Sequence, residues 1–150
     1  MIRIICVGKI KEKYLQDAIE EYKKRLSKYT KLEIIELKDL DYEKDKTIKL
    51  EGESILKQIK DKDYVITLEI DGEKLSSMEF SKELDKISIE NGNMDFIIGG
   101  SYGISDEVKN RSNKHLSFSN LTFPHQLFRV MLLEQIYRAY KIINNESYHK

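Results

Sequence analysis

Short apolar runs alternate along the chain with longer segments in which apolar residues recur every three or four positions. The short runs are typical of buried strands, and the longer spacing is typical of amphipathic helices. Strands are predicted at residues 2–7, 32–37, 64–70, 94–98 and 115–118. Helices are predicted at residues 12–28, 42–60, 76–91, 105–113 and 124–144. This alternation predicts an α/β fold with a mostly parallel sheet flanked by helices.

Turn and capping residues set several of the predicted boundaries. Asp71-Gly72 is a strong turn signal, so we expect it to end the third strand. Ser76 or Ser77 is expected to cap the third helix, and Ser105 the fourth. Pro124 suits the first position of the last helix. No linker, repeat or low-complexity segment divides the chain, so residues 1–150 are predicted to form a single domain.

The last helix has hardly any polar face between Leu127 and Ile143. A helix that is apolar nearly all round must be covered on more than one side. We expect one side to pack on the sheet and another to meet a second subunit in a two-fold homodimer. The alternative, a central helix covered entirely by its own chain, stays open.

Composition and charge narrow the functional classes. The 26 basic and 26 acidic residues give a formal net charge of +0, which argues against a protein that coats nucleic acid but allows a local basic patch. Cys6, the one cysteine, is expected to be a buried thiol in a strand. No cysteine–histidine spacing predicts a metal site, and no signal peptide or membrane-spanning run is present. We therefore expect a cytoplasmic protein.

A glycine-rich segment, Gly99-Gly100-Ser101-Tyr102-Gly103, directly follows the fourth predicted strand. Ligands of open α/β sheets bind beyond the carboxyl ends of strands, and glycine permits close approach to the backbone. The segment matches neither the dinucleotide fingerprint nor the phosphate-binding P-loop. It therefore favours a ligand held by backbone amides and carbonyls, while a structural turn without a ligand remains possible.

Two other segments are candidates for binding. The loop from Phe118 to Pro124 offers small polar groups for a heterocycle edge, and an apolar wall from Leu121 and Phe123. The alternative is that this segment is an ordinary loop between a strand and a helix, with a cap and no ligand. The tail Tyr148-His149-Lys150 has side chains that can stack on a base, transfer a proton and contact a phosphate. The alternative is a frayed chain end without a function, which is the usual state of a terminus.

Charged pairs in the last helix suggest two different roles. His125 and Arg129 lie four residues apart and could face a substrate, whereas Glu134 and Arg138 are expected to form a structural ion pair. His115 has no partner that the sequence identifies, so we interpret it as structural. No nucleophile elbow, zinc-protease motif or carboxylate pair at a convincing catalytic spacing is present. Alkyl transfer from an activated donor requires none of these, because orientation and proximity supply most of the acceleration.

Together these segments closely resemble the ribosomal large subunit methyltransferase H family, over the whole chain and in order. The resemblance is carried by residues 97–104, 116–119, 121–130, 134–139 and 148–150, with 7–9 and 66–70 also fitting. It implies an S-adenosylmethionine-dependent methyltransferase of the SPOUT class, homodimeric, with a trefoil knot near the C-terminus. The implied reaction is methylation of N3 of a pseudouridine in 23S rRNA within the assembled ribosome.

The resemblance also implies roles for individual residues. The cofactor contacts would come from Leu68, Gly99, Gly100, Gly103, Phe118, Ser119, Asn120, Leu121, Thr122 and Phe123. Tyr148 and His149 would position RNA, with His149 or water as the base that removes the N3 proton. Arg129 would contact phosphate or substrate.

A basic patch near the first helix is a further expectation, with a solvated helix face as its alternative. Its residues are Lys9, Lys11, Lys13, Lys23, Lys24, Arg25 and Lys28. Two other functions remain open for the chain as a whole. One is a ribosome-associated binding factor that has lost catalysis, and the other is a Rossmann-type nucleotide-binding module.

Overall fold

Five strands and five helices alternate in the computed structural model, which describes residues 1–150. In chain order they are β1 (Ile2–Val7), α1 (Lys13–Leu26), β2 (Leu32–Leu37), α2 (Lys44–Gln58), β3 (Tyr64–Lys74), α3 (Ser77–Glu90), β4 (Met94–Ile98), α4 (Asp106–Arg111), β5 (Lys114–Ser117) and α5 (His125–Ile143). The strands form one sheet in the order β2-β1-β4-β3-β5, and every neighbouring pair is parallel. The predicted α/β architecture is confirmed. Strand order alone does not determine whether the chain is knotted, so the trefoil knot stays a prediction.

The sheet is covered on both faces, because alternate residues of the central strands enter two different cores. Ile4 and Cys6 of β1 join the larger core, which contains buried residues of α1, α3 and α5. Ile5 and Val7 join the smaller core with residues of α2 and α4. Burial raises the pKa of the Cys6 thiol to about 11, so the predicted buried cysteine is confirmed. Every residue of β1 and β4 is buried, as expected for central strands of a parallel sheet.

Helix α5 is covered mainly by its own chain, since α1 and α3 both pack against it. Leu132, Leu133 and Ile136 are fully buried in the larger core. The opposite side is less covered, and Leu127 remains 40% exposed. The chain thus covers one side of α5 by itself and leaves other apolar residues of the helix only partly buried. The homodimer stays a prediction.

The prediction that Asp71-Gly72 ends β3 is wrong. The strand continues to Lys74, and both Leu68 and Glu73 pair with Leu116 of β5, so the residues between them form an irregularity in the ladder. A Cβ on Gly72 would lie 2.7 Å from the backbone carbonyl carbon of Leu116. This glycine therefore allows close approach of two strands instead of forming a turn.

The predicted caps at Ser76 and Ser105 are confirmed. The Ser76 hydroxyl accepts the Glu79 N–H at 3.1 Å while the Glu79 carboxylate accepts the Ser76 N–H at 2.8 Å, which forms a capping box. The Ser105 hydroxyl accepts the Val108 N–H at 3.3 Å and begins α4. Pro124 precedes α5 as its N-cap and is not its first helical residue.

A buried charge cluster lies at the amino-terminal ends of β1 and β4. The Arg3 guanidinium donates to Asp63 at 2.9 Å, to Asp95 at 3.2 Å and to the Gln58 carbonyl at 3.0 Å. All three charged side chains are at least nine-tenths buried. One cation therefore faces two carboxylates away from water, an arrangement that favours retention of a proton.

The two carboxylates respond to this environment in opposite directions. Burial raises the pKa of Asp95 to about 7, and the neighbouring Asp63 carboxylate adds to the shift. Burial alone would raise the pKa of Asp63 as well, but its interactions with Asp95, the Lys60 N–H and Asn93 lower it overall. The proton shared by the pair therefore resides on Asp95.

We expect Asp95→Asn to change how stability depends on pH. Because the folded state binds the Asp95 proton more tightly than the unfolded chain does, this stabilisation is complete below about pH 4 and is lost as the pH rises through about 7. Asparagine cannot ionise, so the free energy of unfolding relative to wild type should increase by about 1–3 kcal/mol between pH 5 and pH 8. Urea denaturation at both pH values measures it. Asp61→Asn, at an exposed aspartate, should follow wild type; parallel pH profiles for Asp95→Asn and wild type would contradict the assignment.

Candidate functional site at the carboxyl ends of three strands

A cavity of about 490 Å³ opens beyond the carboxyl ends of β4, of β5 and of the regularly paired part of β3, which ends at Leu68. This is the edge at which α/β sheets bind ligands, and the volume lies within the usual range for small-molecule sites. The lining residues are 68–71, 98–104, 116–119 and 121–123, together with Lys109, His125 and Phe128.

The glycine segment forms one wall as a closed turn. The Gly103 N–H donates to the Gly100 carbonyl at 3.0 Å, and Gly103 has a φ of +93°, a conformation that favours glycine. A Cβ on Gly99 would lie 2.8 Å from Ile104, and one on Gly100 would lie 2.6 Å from the Glu51 carboxylate. Gly99 and Gly100 are therefore required by the internal packing of the turn, in addition to lining the cavity.

Glu51 of α2 packs against this turn at Gly100. Its side chain is buried, and one carboxylate oxygen accepts the Leu40 N–H at 3.1 Å while the other has no hydrogen-bond partner. Burial raises the pKa of Glu51, although the Leu40 hydrogen bond opposes the shift. The residue packed against Gly100 is thus a buried carboxyl group with one oxygen that lacks a hydrogen-bond partner.

The loop between β5 and α5 forms the opposite wall. The Ser119 hydroxyl accepts the Leu121 N–H at 3.0 Å, which bends the loop. The rings of Phe118 and Phe123 pack against Phe128 of α5, with centroids 4.9 Å and 6.0 Å away. The wall is therefore largely aromatic and apolar, with backbone polar groups between the side chains.

A polar cluster centred on Glu69 forms a third side. One oxygen of Glu69 accepts the Thr67 hydroxyl at 2.6 Å and contacts the Nδ1 atom of His115, and the other lies 3.6 Å from the Lys109 ammonium. Burial would raise the pKa of Glu69, but the Thr67 and His115 hydrogen bonds and the Lys109 charge lower it overall. The carboxylate is therefore held ionised.

His115, for which the sequence identified no partner, contacts Thr67, Glu69 and Ser112, and its interpretation as a structural residue stays a prediction. Thr67 pairs with His115 in the β3–β5 register, and Glu69 lies two residues further along the same strand. Residues two apart share one face of a strand, so Thr67 and Glu69 both reach His115. The i, i+2 spacing of Thr67 and Glu69 is visible in the sequence and predicts that they share a face of the strand. Only the pairing of β3 with β5 shows that His115 lies beside them.

Nine of the ten predicted cofactor-contact residues line the cavity. They are Leu68, Gly99, Gly100, Gly103, Phe118, Ser119, Leu121, Thr122 and Phe123. Asn120 is not among the lining residues. Three segments that are distant in the sequence therefore meet where the resemblance implies a single site.

Arg129 lies away from this cavity and is only 1% exposed. Its guanidinium donates to the Glu36 carboxylate at 2.6 Å and to the Gly8 carbonyl at 3.1 Å. It therefore braces the start of α5 against the ends of β1 and β2. This placement argues against Arg129 as a surface contact for phosphate or substrate, even though His125, four residues earlier, lines the cavity.

The C-terminal tail is folded against α5. The Tyr148 ring packs edge-on against Tyr137 at 5.0 Å and lies 4.8 Å from the Arg138 guanidinium. His149 accepts from Arg138 through Nδ1 at 3.1 Å, and Arg138 also forms the predicted ion pair with Glu134 at 2.9 Å. No tail residue lines the cavity of its own chain.

The basic residues around α1 are exposed. Exposure is required both by an RNA-binding patch and by a solvated helix face, so it does not distinguish the two interpretations. Four of them have carboxylates beside them, in the pairs Lys13–Asp17, Lys23–Glu20, Arg25–Glu21 and Lys28–Glu146. This pairing reduces the net positive charge of the surface, and a role in RNA binding stays a prediction.

Neither a metal centre nor a membrane segment is found. No three His, Cys, Asp or Glu side chains are grouped so that they could hold a metal ion. No helix has both the length and the apolar character needed to cross a bilayer.

Comparison with known proteins gives a consistent result over the full length. A family model described as predicted SPOUT methyltransferase matches residues 1–149. Proteins named ribosomal RNA large subunit methyltransferase H are 57% identical in Clostridium botulinum (strain Alaska E43 / Type E3), with 99% of each chain covered, and 50% identical in Caldicellulosiruptor saccharolyticus, with 100% of each covered. The solved structure of a probable methylase family protein from Haemophilus influenzae Rd KW20 has a TM-score of 0.59 at 15% identity, over 99% of this chain and 70% of the other, and supports the fold alone.

We expect Gly99→Ala to destabilise the protein, because the added Cβ meets Ile104 and the Gly103 backbone. Overpacking of this kind costs about 1–3 kcal/mol. The matched control is Gly92→Ala, where nothing lies within 4 Å of the added atom, and it should stay within about 0.5 kcal/mol of wild type. Urea denaturation measures both variants, and equal stabilities would show that the turn does not need a glycine at position 99.

Proposed function

The chain belongs to the SPOUT methyltransferase family, and on that premise we propose that this methyltransferase uses S-adenosylmethionine to methylate N3 of a pseudouridine in 23S rRNA. The observation that carries the proposal is the cavity at the carboxyl ends of β4, β3 and β5, built from the same segments that carry the family resemblance. The names of the full-length relatives support ribosomal RNA as the substrate. We propose the assembled ribosome as the target, and hence the cytoplasm as the location.

The residues around the cavity suit this cofactor. Leu68, Phe118 and Leu121 offer apolar surface for an adenine ring, and the peptide groups of residues 99–103 and 118–123 offer donors and acceptors for its edge. Bound there, the cofactor would supply an activated methyl group. The chain therefore needs to orient two reactants and to exclude water, and neither task requires a nucleophilic side chain.

The tail residues are proposed to position the RNA. Arginine can only donate hydrogen bonds, so the contact from Arg138 makes Nδ1 of His149 an acceptor and places the proton of the neutral ring on Nε2. The remaining nitrogen is then a donor suited to an RNA oxygen, while Tyr148 offers a stacking face. In this arrangement water is the better candidate for accepting the N3 proton, since the basic nitrogen of His149 is occupied.

A homodimer would bring a tail to the cavity. The tail does not line the cavity of its own chain, and apolar side chains remain exposed around the cavity and at the start of α5. Tyr102 is 48% exposed, Leu121 70% and Leu127 40%. We propose that a two-fold homodimer, formed by one domain from each chain, covers these side chains and sets the tail of one subunit beside the cavity of the other.

The proposed reaction predicts a new modification in ribosomes that are incubated with the protein and methyl-labelled S-adenosylmethionine. Mass mapping of 23S rRNA should locate the label on N3 of a pseudouridine. A chain without Ser147–Lys150 should bind the cofactor with unchanged affinity but methylate at least about 100-fold more slowly, because the substrate is no longer positioned.

The same experiment separates the alternatives. Unmodified ribosomes from a protein that binds the cofactor would favour a binding factor that has lost catalysis. Undiminished methylation by the shortened chain would show that the tail is only a terminus.

The proposed dimer predicts a particle of about twice 17.7 kDa in sedimentation equilibrium. Leu127→Glu should shift this equilibrium toward monomer, because it places a charge in the apolar contact. Ile89→Glu is the matched control, since Ile89 is a 78% exposed apolar residue of α3 away from the cavity lining. A wild-type monomer at high concentration would contradict the dimer.

A further inference from the structure

The third side of the cavity carries charged side chains to which the proposed function assigns no role. Glu69, Asp71 and Lys109 all line the cavity, so two carboxylates and one ammonium face the same space. His125 is the one histidine that also lines the cavity. The other walls are glycines, small polar residues and apolar or aromatic groups, so Glu69, Asp71 and Lys109 supply the carboxylates and the ammonium of the cavity.

Glu69 is held in place from within the protein. Its Oε2 atom accepts from Thr67, a completely buried residue, and contacts His115. Its Oε1 atom has only the Lys109 ammonium nearby, at 3.6 Å, which is longer than a hydrogen bond. A fixed, ionised carboxylate therefore directs one oxygen away from its protein partners.

The ion pair between Glu69 and Lys109 is easily exchanged. The Lys109 side chain is 42% exposed, and ion pairs with an exposed partner contribute little to stability. A ligand that presents an ammonium group to Glu69 and a carboxylate to Lys109 can replace the pair at little cost. An α-amino acid carries both groups on one carbon, so a single ligand reaches both residues.

We propose that Glu69 and Lys109 bind the amino-acid end of the methyl donor, an inference that rests on the proposed function. Glu69 accepts hydrogen bonds from the α-ammonium group, and Lys109 donates to the α-carboxylate. S-Adenosylmethionine carries two positive groups, an ammonium and a sulfonium, and one negative group. The cavity presents the opposite set, two carboxylates and one ammonium, with Asp71 available to the second positive charge.

In this assignment, different residues bind the two ends of the cofactor: Glu69 and Lys109 bind the amino-acid end, and the other walls of the cavity bind the adenosine end. 5′-Methylthioadenosine retains the adenine, the ribose and a thioether but lacks the ammonium, the carboxylate and the sulfonium charge. Its binding depends on Leu68, on the glycine turn and on the loop at residues 118–123, and on neither Glu69 nor Lys109. Loss of Glu69 or Lys109 should therefore affect S-adenosylmethionine selectively, because a charged ligand group loses its partner only in that complex.

The test is calorimetric titration of the full chain with both ligands. Glu69→Gln and Lys109→Met should each weaken S-adenosylmethionine binding about tenfold or more, the effect expected when a charge-assisted hydrogen bond is lost. Binding of 5′-methylthioadenosine should stay at the wild-type value, which also shows that the variants are folded. The matched controls are Glu73→Gln and Lys114→Met, an ion pair of 2.9 Å at the same edge whose members do not line the cavity. Both controls should bind both ligands as wild type does.

Three results would overturn the inference. Unchanged affinity for S-adenosylmethionine in both variants, with both ligands bound by wild type, would place the amino-acid end elsewhere and leave the proposed function intact. Equal losses of affinity for the two ligands would show that Glu69 and Lys109 maintain the shape of the cavity and do not bind the charged groups of the cofactor. Wild-type protein that binds neither ligand would overturn the proposed function together with this inference.

Discussion

The position of β3 between β4 and β5 is the constraint on which the site depends. Parallel strands bring their carboxyl ends to one edge, and the register sets Thr67 beside Ile97 on one side and Leu68 beside Leu116 on the other. The loops that follow Ile98 and Ser117 therefore open onto the end of the regularly paired part of β3, at Leu68. Without this order, the glycine turn and the aromatic loop would belong to separate parts of the surface.

Buried contacts then hold each loop against a rigid element. The glycine turn rests on Glu51 of α2, and the loop at residues 118–123 rests on Phe128 of α5. Arg129 fixes the start of α5 through Glu36 and Gly8, which lie at the far side of the sheet. The walls of the cavity are thus supported from both halves of the sheet, a form of preorganisation that suits a reaction based on orientation.

Local patterns predicted most of the fold, because strand and helix periodicity and serine caps depend on neighbouring residues. The glycine turn and the β5–α5 loop were also recognisable, since the first follows an apolar strand and the second precedes the long apolar helix. What local patterns do not contain is the partner of a side chain. His115 meets Glu69 across 46 positions, Arg129 meets Glu36 across 93, and Asp71-Gly72 is drawn into a strand by pairing with β5. In each case a contact between distant residues overrides the local signal.

The central claim is that the loops after β4 and β5 form the methyl-donor site. Hydrogen–deuterium exchange with and without S-adenosylmethionine tests it directly, because bound ligand slows the exchange of amides that it contacts or orders. The account predicts slower exchange in the presence of the cofactor at residues 99–104 and 116–123. Unchanged exchange at both segments, or protection confined to another part of the chain, would contradict it.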